Sequence, residues 1–471
     1  MPPLLGARPR ASTHLTPLLL VECAIIIIKG VLGETEQAQA QAEVEVEAGV
    51  DATSGADGAP TFEDISTAAF HIREGTVRTR CTHSAALSDR AGCEVWLKHE
   101  YEQRTGSFKE RGARNALLSL SEDERARGVT CASAGNHALA IAYHAGLLGI
   151  RATVVMPTIA PLTKVSRCRA LGAEVILHGA SIAEAAEYSR ENYVNSDAHL
   201  TYINGFDDKQ IIAGAGTVGL ELLEQVGDLD AIVVPAGGGG LIAGILLAVK
   251  TLRPDVRVIA VEPSRCASLR AALDAGKPAC VEMPGPTLAD GLAVPCIGAR
   301  SFGVIKDRID ETVTVSEQDI AVAVLALVEQ ERIVQEGAGA TGLAAVLAGR
   351  IPGLEGKTVA VPLCGSNIDV TVLGRVLDRA LAYASRIVRF SCVVSDRPGG
   401  IATLTRVVAD TGGSIKDIRH EREWLQEDLF AVEISVTCEL NGAEHLAELK
   451  AALERAIDDG DIGRWGATPL E

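Results

Sequence analysis

From about residue 61 the chain settles into a repeating texture. Short apolar runs bounded by glycine or proline alternate with stretches of helical spacing. The runs include Ala152–Met156 (ATVVM), Ala173–Leu177 (AEVIL), Ala231–Pro235 (AIVVP), Val256–Val261 (VRVIAV) and Thr358–Leu363 (TVAVPL). Continuous Val/Ile runs of this kind predict strands covered on both faces. Helical stretches such as Leu241–Leu252 and Ser181–Tyr193 separate them. The alternation predicts an α/β fold of open parallel sheets with helices on both faces.

The pattern changes near Ser385. Residues 387–395 (IVRFSCVVS) predict a strand, Arg397–Gly400 break it, and Ile401–Ala409 have helical spacing. Residues 414–423 and 429–438 predict two more strands and Ala443–Ile457 a second helix. This order is a ferredoxin-like unit, βαββαβ if a last strand forms near Asp461–Trp465, where the apolar pattern is faint. The expected division is therefore 61–385 and 386–471.

Residues 1–60 stand apart. The apolar stretch Leu18–Ile28 follows Arg8 and Arg10 but is far shorter than the ~20 residues a membrane helix needs. Glu22 inside it is foreign to a signal-peptide core. Residues 34–60 are acidic, small and unpatterned, as in a flexible linker. The segment reads as an extension and linker of a cytoplasmic protein. The alternative is a transit peptide for a mitochondrion or plastid.

Composition narrows the function classes. The 471 residues carry a formal net charge of −18, which disfavours nucleic acid as the main partner. Aromatics are only 3%, too few for a base-stacking platform. The eleven cysteines are odd in number and none is spaced CxxC, which argues against a disulfide framework or structural zinc and for a reducing compartment.

One lysine carries candidate chemistry. In Thr105-Gly106-Ser107-Phe108-Lys109-Glu110-Arg111-Gly112, Ser107 and Glu110 have capping-box spacing ahead of a helical stripe. Lys109 then falls in a first helical turn, where partial positive charge lowers an amine pKa and favours Schiff-base chemistry. Alone, the segment also describes an ordinary solvated lysine. Three loops at strand-to-helix junctions change the balance. Ser133-Ala134-Gly135-Asn136-His137 offers amides and a hydroxyl to a carboxylate. Gly237-Gly238-Gly239-Gly240 lets the backbone wrap an anion ahead of a helix, yet no GKS/T follows, so it is no P-loop. Leu363-Cys364-Gly365-Ser366-Asn367 closes a third strand. Ligands gather at such carboxyl ends of strands.

A lysine, an anion cradle and a carboxylate loop form the inventory of a pyridoxal-phosphate (PLP) enzyme. The motifs TGSFKERGA (105–113), SAGNHA (133–138), MPTIAPLTKV (156–165), IAGAGTVGLE (212–221), PAGGGGLIAG (235–244), ADGLAV (289–294), EGAGA (336–340) and LCGSNID (363–369) sharpen this. Together they resemble the fold-type II, tryptophan synthase beta-like PLP enzymes, within them the serine/threonine dehydratase and serine racemase group. SDRPGGIATLTRVV and IKDIRHER resemble an ACT domain of the kind found on threonine dehydratases.

The resemblance implies two parallel-sheet lobes and conversion of L-threonine to 2-oxobutanoate and ammonia, and of L-serine to pyruvate, in amino-acid metabolism and isoleucine biosynthesis. It implies that Lys109 holds PLP as a Schiff base and moves the Cα proton, that Phe108 supports the ring, and that Gly237, Gly238, Gly239 and Gly240 bind the phosphate. Asn136 would face the 3′-oxygen. Ser133, Gly135, Asn136 and His137 would hold the substrate carboxylate, and Glu336 would orient the substrate side chain or pack a helix start. Cys364 stands where relatives usually place a serine beside the pyridine nitrogen. It further implies a small amino-acid substrate, an allosteric amino-acid effector at the ACT domain, a homodimer or homotetramer, and no nucleic-acid or membrane partner.

Some positions depart from the family pattern. Position 134 is Ala where racemases carry a serine base, which favours a dehydratase over serine racemase or another fold-type II lyase. Leu139 and Ala215 replace glutamines, and Asn204-Gly205 replaces His-Pro. Glu262 matches a divalent-cation ligand of the racemase branch, but Ser268 stands where a second carboxylate is usual, a poor set for a hard cation. A catalytically silent amino-acid sensor is the reading from another class; the intact lysine and glycine loop oppose it.

Overall fold

The structure, a computed structural model, describes residues 58–422 and 429–467. The apolar stretch Leu18–Ile28 and the transit-peptide alternative lie outside the described residues. A six-stranded sheet runs in the order β1 (Cys81–His83), β2 (Glu94–Lys98), β10 (Thr358–Pro362), β7 (Ala231–Pro235), β8 (Arg257–Pro263), β9 (Glu311–Val315). Only β1 is antiparallel; the other pairs are parallel. A second, smaller sheet is fully parallel, in the order β5 (Glu174–Leu177), β4 (Ala152–Met156), β3 (Val129–Ala132), β6 (Thr201–Tyr202).

The Val/Ile runs are buried because both faces of each sheet are covered. All five residues of β7 are buried, and its pleat sends alternate side chains to opposite cores. Ala231 and Val233 join one cluster with helices Glu317–Ala326 and Gly337–Leu347. Ile232 and Val234 join the other with helices Lys209–Gln225 and Gly240–Leu252. The helix expected over Ser181–Tyr193 stays regular only to Ser189 and widens into a π turn at Arg190–Val194.

The C-terminal part is a four-stranded antiparallel sheet in the order β12 (Ser414–Glu421), β13 (Ala431–Glu439), β11 (Ile387–Ser395), β14 (Trp465–Ala467). The faint last strand does form, pairing Trp465 with Cys392. Phe390, Cys392 and Val394 alternate inward and pack with Leu404, Leu449 and Leu453 of the two helices on one face. No helix among the described residues is long and apolar enough to cross a membrane.

One cysteine expectation needs correction. Cys280 and Cys296 are joined by a disulfide. They face each other across an isolated antiparallel bridge, with Val281 N–H donating to Pro295 O at 3.0 Å. The pairing comes from a long loop folding back on itself, for which the sequence has no two-residue hairpin signal. The remaining described cysteines are unpaired.

Candidate active site

The carboxyl ends of β3, β7 and β10 each open into a loop that starts a helix or approaches one. Lys109 begins helix Lys109–Leu118, with Phe108 at its N-cap. The Ser107–Glu110 capping box does not form. Glu110 instead accepts the Thr105 N–H and meets His144 Nε2 at 3.2 Å, and the Ser107 hydroxyl is buried without a partner. The cause is tertiary. Residues 105–108 dock on the loop after β10: Ser107 bridges Gly365, Phe108 N–H donates to Cys364 O at 3.0 Å, and Ser366 N–H donates to Gly106 O at 3.0 Å. Gly106 turns the chain at φ +82°, a backbone conformation that glycine tolerates.

Lys109 Nζ donates to Gly205 O at 2.5 Å and lies 5.2 Å from the Phe108 ring centroid. Burial pushes its pKa down from 10.5 to about 8, against an upward pull from Cys364 and Glu336. Withdrawal from water is thus the leading cause of the low pKa. Gly205 also connects the lysine to the glycine loop. Its neighbour Phe206 packs where a Cβ on Gly238 would fall, 2.4 Å away, and Phe206 O would lie 2.4 Å from a Cβ on Gly240. Gly237 is crowded by the Leu292 backbone in the same way, and Gly239 sits at φ +93° as the N-cap of helix Gly240–Leu252. Ala236 N–H still donates to Val261 O; beyond it the chain leaves the sheet. The first N–H groups of the helix have no intrahelical acceptor and point toward the loop mouth.

The third loop precedes helix Asn136–Leu148, with Gly135 at its N-cap. Ser133 Oγ accepts the Gly135 N–H at 3.2 Å, and a Cβ on Gly135 would meet nothing within 4 Å, so the loop is open there. His137 Nε2 contacts Ile203 O at 3.1 Å. The carbonyl can only accept, so Nε2 carries the proton and Nδ1 is left buried without a partner. Burial first, then the charge of Lys109, drives the His137 pKa down to about 3. A neutral ring tied to Ile203 leaves the backbone N–H of His137 as its offering to a carboxylate.

Asn136 and Glu336 meet directly. Asn136 Nδ2 donates to Glu336 Oε1 at 2.6 Å, and Asn367 N–H donates to Glu336 Oε2 at 3.1 Å. Burial, then the nearby Asp290, pushes the Glu336 pKa up to about 7, with Asn136 pulling the other way. Glu336 is also the N-cap of helix Gly337–Leu347 but makes no side-chain cap bond there, so its carboxylate serves the site and not the helix. Asn367 had no assigned role. It donates to Thr105 O at 2.7 Å and Asn136 Oδ1 at 2.8 Å, and accepts from Arg167 Nη1 at 2.9 Å. Its motif, LCGSNID, was its only sequence signal. Cys364 is buried, its thiol donating to Pro362 O at 3.4 Å, and burial holds it well above the ordinary thiol range.

Glu262 lies elsewhere, fully buried at the end of β8. Its two oxygens accept Leu269 N–H at 2.7 Å and Arg270 N–H at 3.0 Å, so it caps helix Ser268–Ala275. Among the described residues no cluster of three or more His, Cys, Asp or Glu could hold a metal ion.

The assembled residues fit PLP. Thr105 Oγ1, Ser107 Oγ and His137 Nδ1 are buried polar atoms without a protein partner, a costly arrangement that a polar ligand relieves. The glycine turn excludes side chains and presents amides to an anion. Lys109 supplies the amine, and Phe108 an apolar ring beside it.

Comparison with known proteins agrees. Residues 72–365 match the family model described as pyridoxal-phosphate dependent enzyme, and residues 388–458 match the ACT domain model. The L-threonine ammonia-lyase of Thermotoga maritima is 41% identical over 393 residues, 83% of this chain and 97% of that protein. The processed form of threonine deaminase isoform 2 from Solanum lycopersicum superposes with a TM-score of 0.64 at 34% identity, covering 68% of this chain and 90% of that one. The serine racemase of Dictyostelium discoideum superposes with a TM-score of 0.62 at 35% identity, covering 66% and 99%. The chain belongs to the pyridoxal-phosphate dependent enzyme family and carries an ACT domain after its catalytic part.

Proposed function

We propose that the chain is an L-threonine ammonia-lyase that also accepts L-serine. The observation that carries this reading is the Lys109 amine. It is held near pKa 8 and is linked through Gly205 and Phe206 to the glycine cradle. Asn136 and Glu336, hydrogen-bonded to each other, would meet the substrate. PLP bound there supplies an electron sink that acidifies the Cα–H of an amino acid attached through its amine. The backbone N–H groups of Gly237 to Gly240 would hold its phosphate, Phe108 would support its ring, and Cys364 would be the partner of its ring nitrogen. A protonated thiol cannot hold a positive charge on that nitrogen as a carboxylate would, which favours elimination over transamination.

Ser133, Gly135, Asn136 and His137 receive the substrate carboxylate through a hydroxyl and helix-start amides. Lys109 Nζ takes the Cα proton, aided by a pKa close to working pH. Loss of the β-hydroxyl and hydrolysis give 2-oxobutanoate from threonine, pyruvate from serine, and ammonia. The racemase reading lacks a base at position 134, where an alanine side chain packs against the small-lobe core.

Residues 61–385 form the catalytic part and 386–471 an effector-binding ACT module. The enzyme is a homodimer or homotetramer of the cytoplasm; the oligomer is supported by β12, an exposed strand at the edge of its sheet among the described residues. Purified enzyme should release 2-oxobutanoate and ammonia from threonine, and light scattering should report two or four chains. A PLP-loaded protein that releases no oxo acid from threonine or serine, yet racemises serine on chiral analysis, would overturn the assignment.

A further inference from the structure

The loop between helices Ser268–Ala275 and Ala299–Ile305 walls the cofactor site. The Leu292 backbone lies 3.0 Å from the place of a Cβ on Gly237, and Gly298 N–H donates to Gly238 O at 3.1 Å. Gly291 comes within 3.9 Å of Glu336 Oε1 by the same measure. The loop is fastened on one side by Glu317, which accepts the Thr287 hydroxyl and the Leu288 N–H, each at 2.6 Å. Arg265 also donates to Pro286 O, and the Cys280–Cys296 pair closes a stretch of sequence separation 16 that contains Gly291 and Leu292, with Gly298 two residues beyond it.

We propose that Cys280 and Cys296 are a reversible thiol–disulfide clasp that sets how firmly the enzyme retains its cofactor. The proposal rests on the reading of Gly237 to Gly240 as the phosphate cradle. Both cysteines are half-buried, within reach of small reagents. Of the other described cysteines, seven are buried and only Cys81 is partly open, so a mild oxidant meets this pair first. Burial also keeps Cys81, Cys168 and Cys266 protonated, each pushed up to about 11.

The oxidant is a low-molecular-weight disulfide, RSSR. One cysteine thiolate attacks it, forming a mixed disulfide and releasing RS⁻. The second cysteine thiolate attacks the mixed disulfide at the protein sulfur, closing the clasp and releasing the second RS⁻. Two protein thiols are oxidised, one RSSR is reduced to two RSH, and the protons end on the released thiols. Excess dithiol reverses both steps. Closure removes conformations in which the segment bearing Leu292 drifts from the cradle. The open form, held by Glu317, by Arg265 at Pro286 O and by backbone hydrogen bonds but by no covalent link, lets PLP leave faster.

The test uses the holoenzyme equilibrated in glutathione buffers from fully reduced to oxidising. Alkylation with peptide mapping reads the 280–296 link, and loss of bound-cofactor absorbance in the presence of a PLP scavenger reads release. The linked form should release PLP at least about tenfold more slowly than the dithiol form, a fraction of what closing a loop of this length restrains. Cys296→Ser and Cys280→Ala should release at the dithiol rate in every buffer. Separate alkylation of the two cysteines at every poise would overturn the proposal, and so would a link that leaves release unchanged. Gly240→Ala separates the two ideas: if it leaves PLP retention intact, the cradle reading fails, whatever the clasp does.

Discussion

Asn136 donates from Nδ2 to Oε1 of Glu336 at 2.6 Å, joining residues 200 positions apart. Asn136 begins a helix on the small parallel sheet; Glu336 begins one on the large sheet. Asn367 completes the joint, donating to Asn136 Oδ1 from its side chain and to Glu336 Oε2 from its backbone. The loop after β3 and the Glu336 carboxylate are therefore placed by each other. This arrangement holds only while both lobes are in contact.

Glu336→Ala removes the acceptor of both donors and should lower kcat/KM for threonine by about 10²-fold, the usual cost of misplacing a reacting group by an ångström. Glu336→Gln keeps one acceptor and should lose less. The carboxyl pKa is raised from 4.5 to about 7, so folding takes up a proton between those values. Its contribution to stability is full below about 4.5 and is lost as pH rises through about 7. Urea denaturation of the apoenzyme should show the wild type losing at most roughly 3 kcal/mol relative to Glu336→Gln across that window. Parallel pH curves for the two proteins would reject it.

Lys109→Ala should abolish covalent cofactor capture and oxo-acid release together. In wild-type apoenzyme only the neutral amine captures PLP. The capture rate should therefore rise with pH through an inflection near 8 and not near 10.5. Stopped-flow absorbance after mixing with PLP checks this, and an inflection above about 10 contradicts the burial argument.

The lysine and the glycine loop were legible because their signals are local: a strand ends, a distinctive loop follows, a helix begins. Strand positions were legible through unbroken Val/Ile runs, since both sheet faces are buried. Features fixed by distant parts of the chain were not. Ser107 and Glu110 have capping-box spacing, but docking of residues 105–108 on Cys364 and Gly365 turned Glu110 toward Thr105 and His144. Asn367 is an unremarked amide until the fold surrounds it with Thr105, Asn136 and Arg167. The low pKa of Lys109 was expected from its helix position, whereas burial leads, and burial is not a property of a nine-residue motif.

Two glycines of the cradle should fail differently. A Cβ at 238 meets the Phe206 ring at 2.4 Å; at 240 it meets the Phe206 carbonyl oxygen at 2.4 Å. Gly238→Ala and Gly240→Ala should both weaken PLP binding. Adding Phe206→Leu should recover part of the loss in Gly238→Ala, because a side chain can give way, and none in Gly240→Ala. Fluorescence titration with PLP measures all four variants; equal rescue would contradict the geometry.

Arg111, two residues after the lysine, is the centre of a buried ion network. It pairs with Glu100 and with Glu221, each at 2.7 Å, and Lys98 also reaches Glu221. Arg111 and Glu100 are 1% and 0% exposed, and the pairing holds the Glu100 carboxyl below its ordinary pKa despite the upward push of burial. Arg111→Met strands Glu100 and should cost about 3–5 kcal/mol in denaturant unfolding. Adding Glu100→Leu should recover much of it, since an apolar replacement of both partners leaves no bare charge. A single variant within about 1 kcal/mol of wild type would mean that water reaches the pair.

The ACT module touches the catalytic part close to Glu336 along the chain. Arg386, just before β11, pairs with Glu329 in the π turn Leu327–Glu331, seven residues ahead of Glu336. Between them Arg332 holds a left-handed φ of +62°, so a shift of the π turn has a short, stiff path to the Glu336 carboxylate. The pair is exposed enough that its loss should change basal kinetics by no more than about twofold. Effector response is a different quantity, because it depends on the difference in this contact between two states. Glu329→Gln should leave threonine turnover without effector nearly unchanged, while shrinking the shift in half-saturation caused by an amino-acid effector, with isoleucine and valine as the probes. Oxo-acid release over a threonine series, with and without each amino acid, gives both numbers. An undiminished shift would place the coupling on another contact, with Lys416–Asp378, at 3.9 Å, the next to remove.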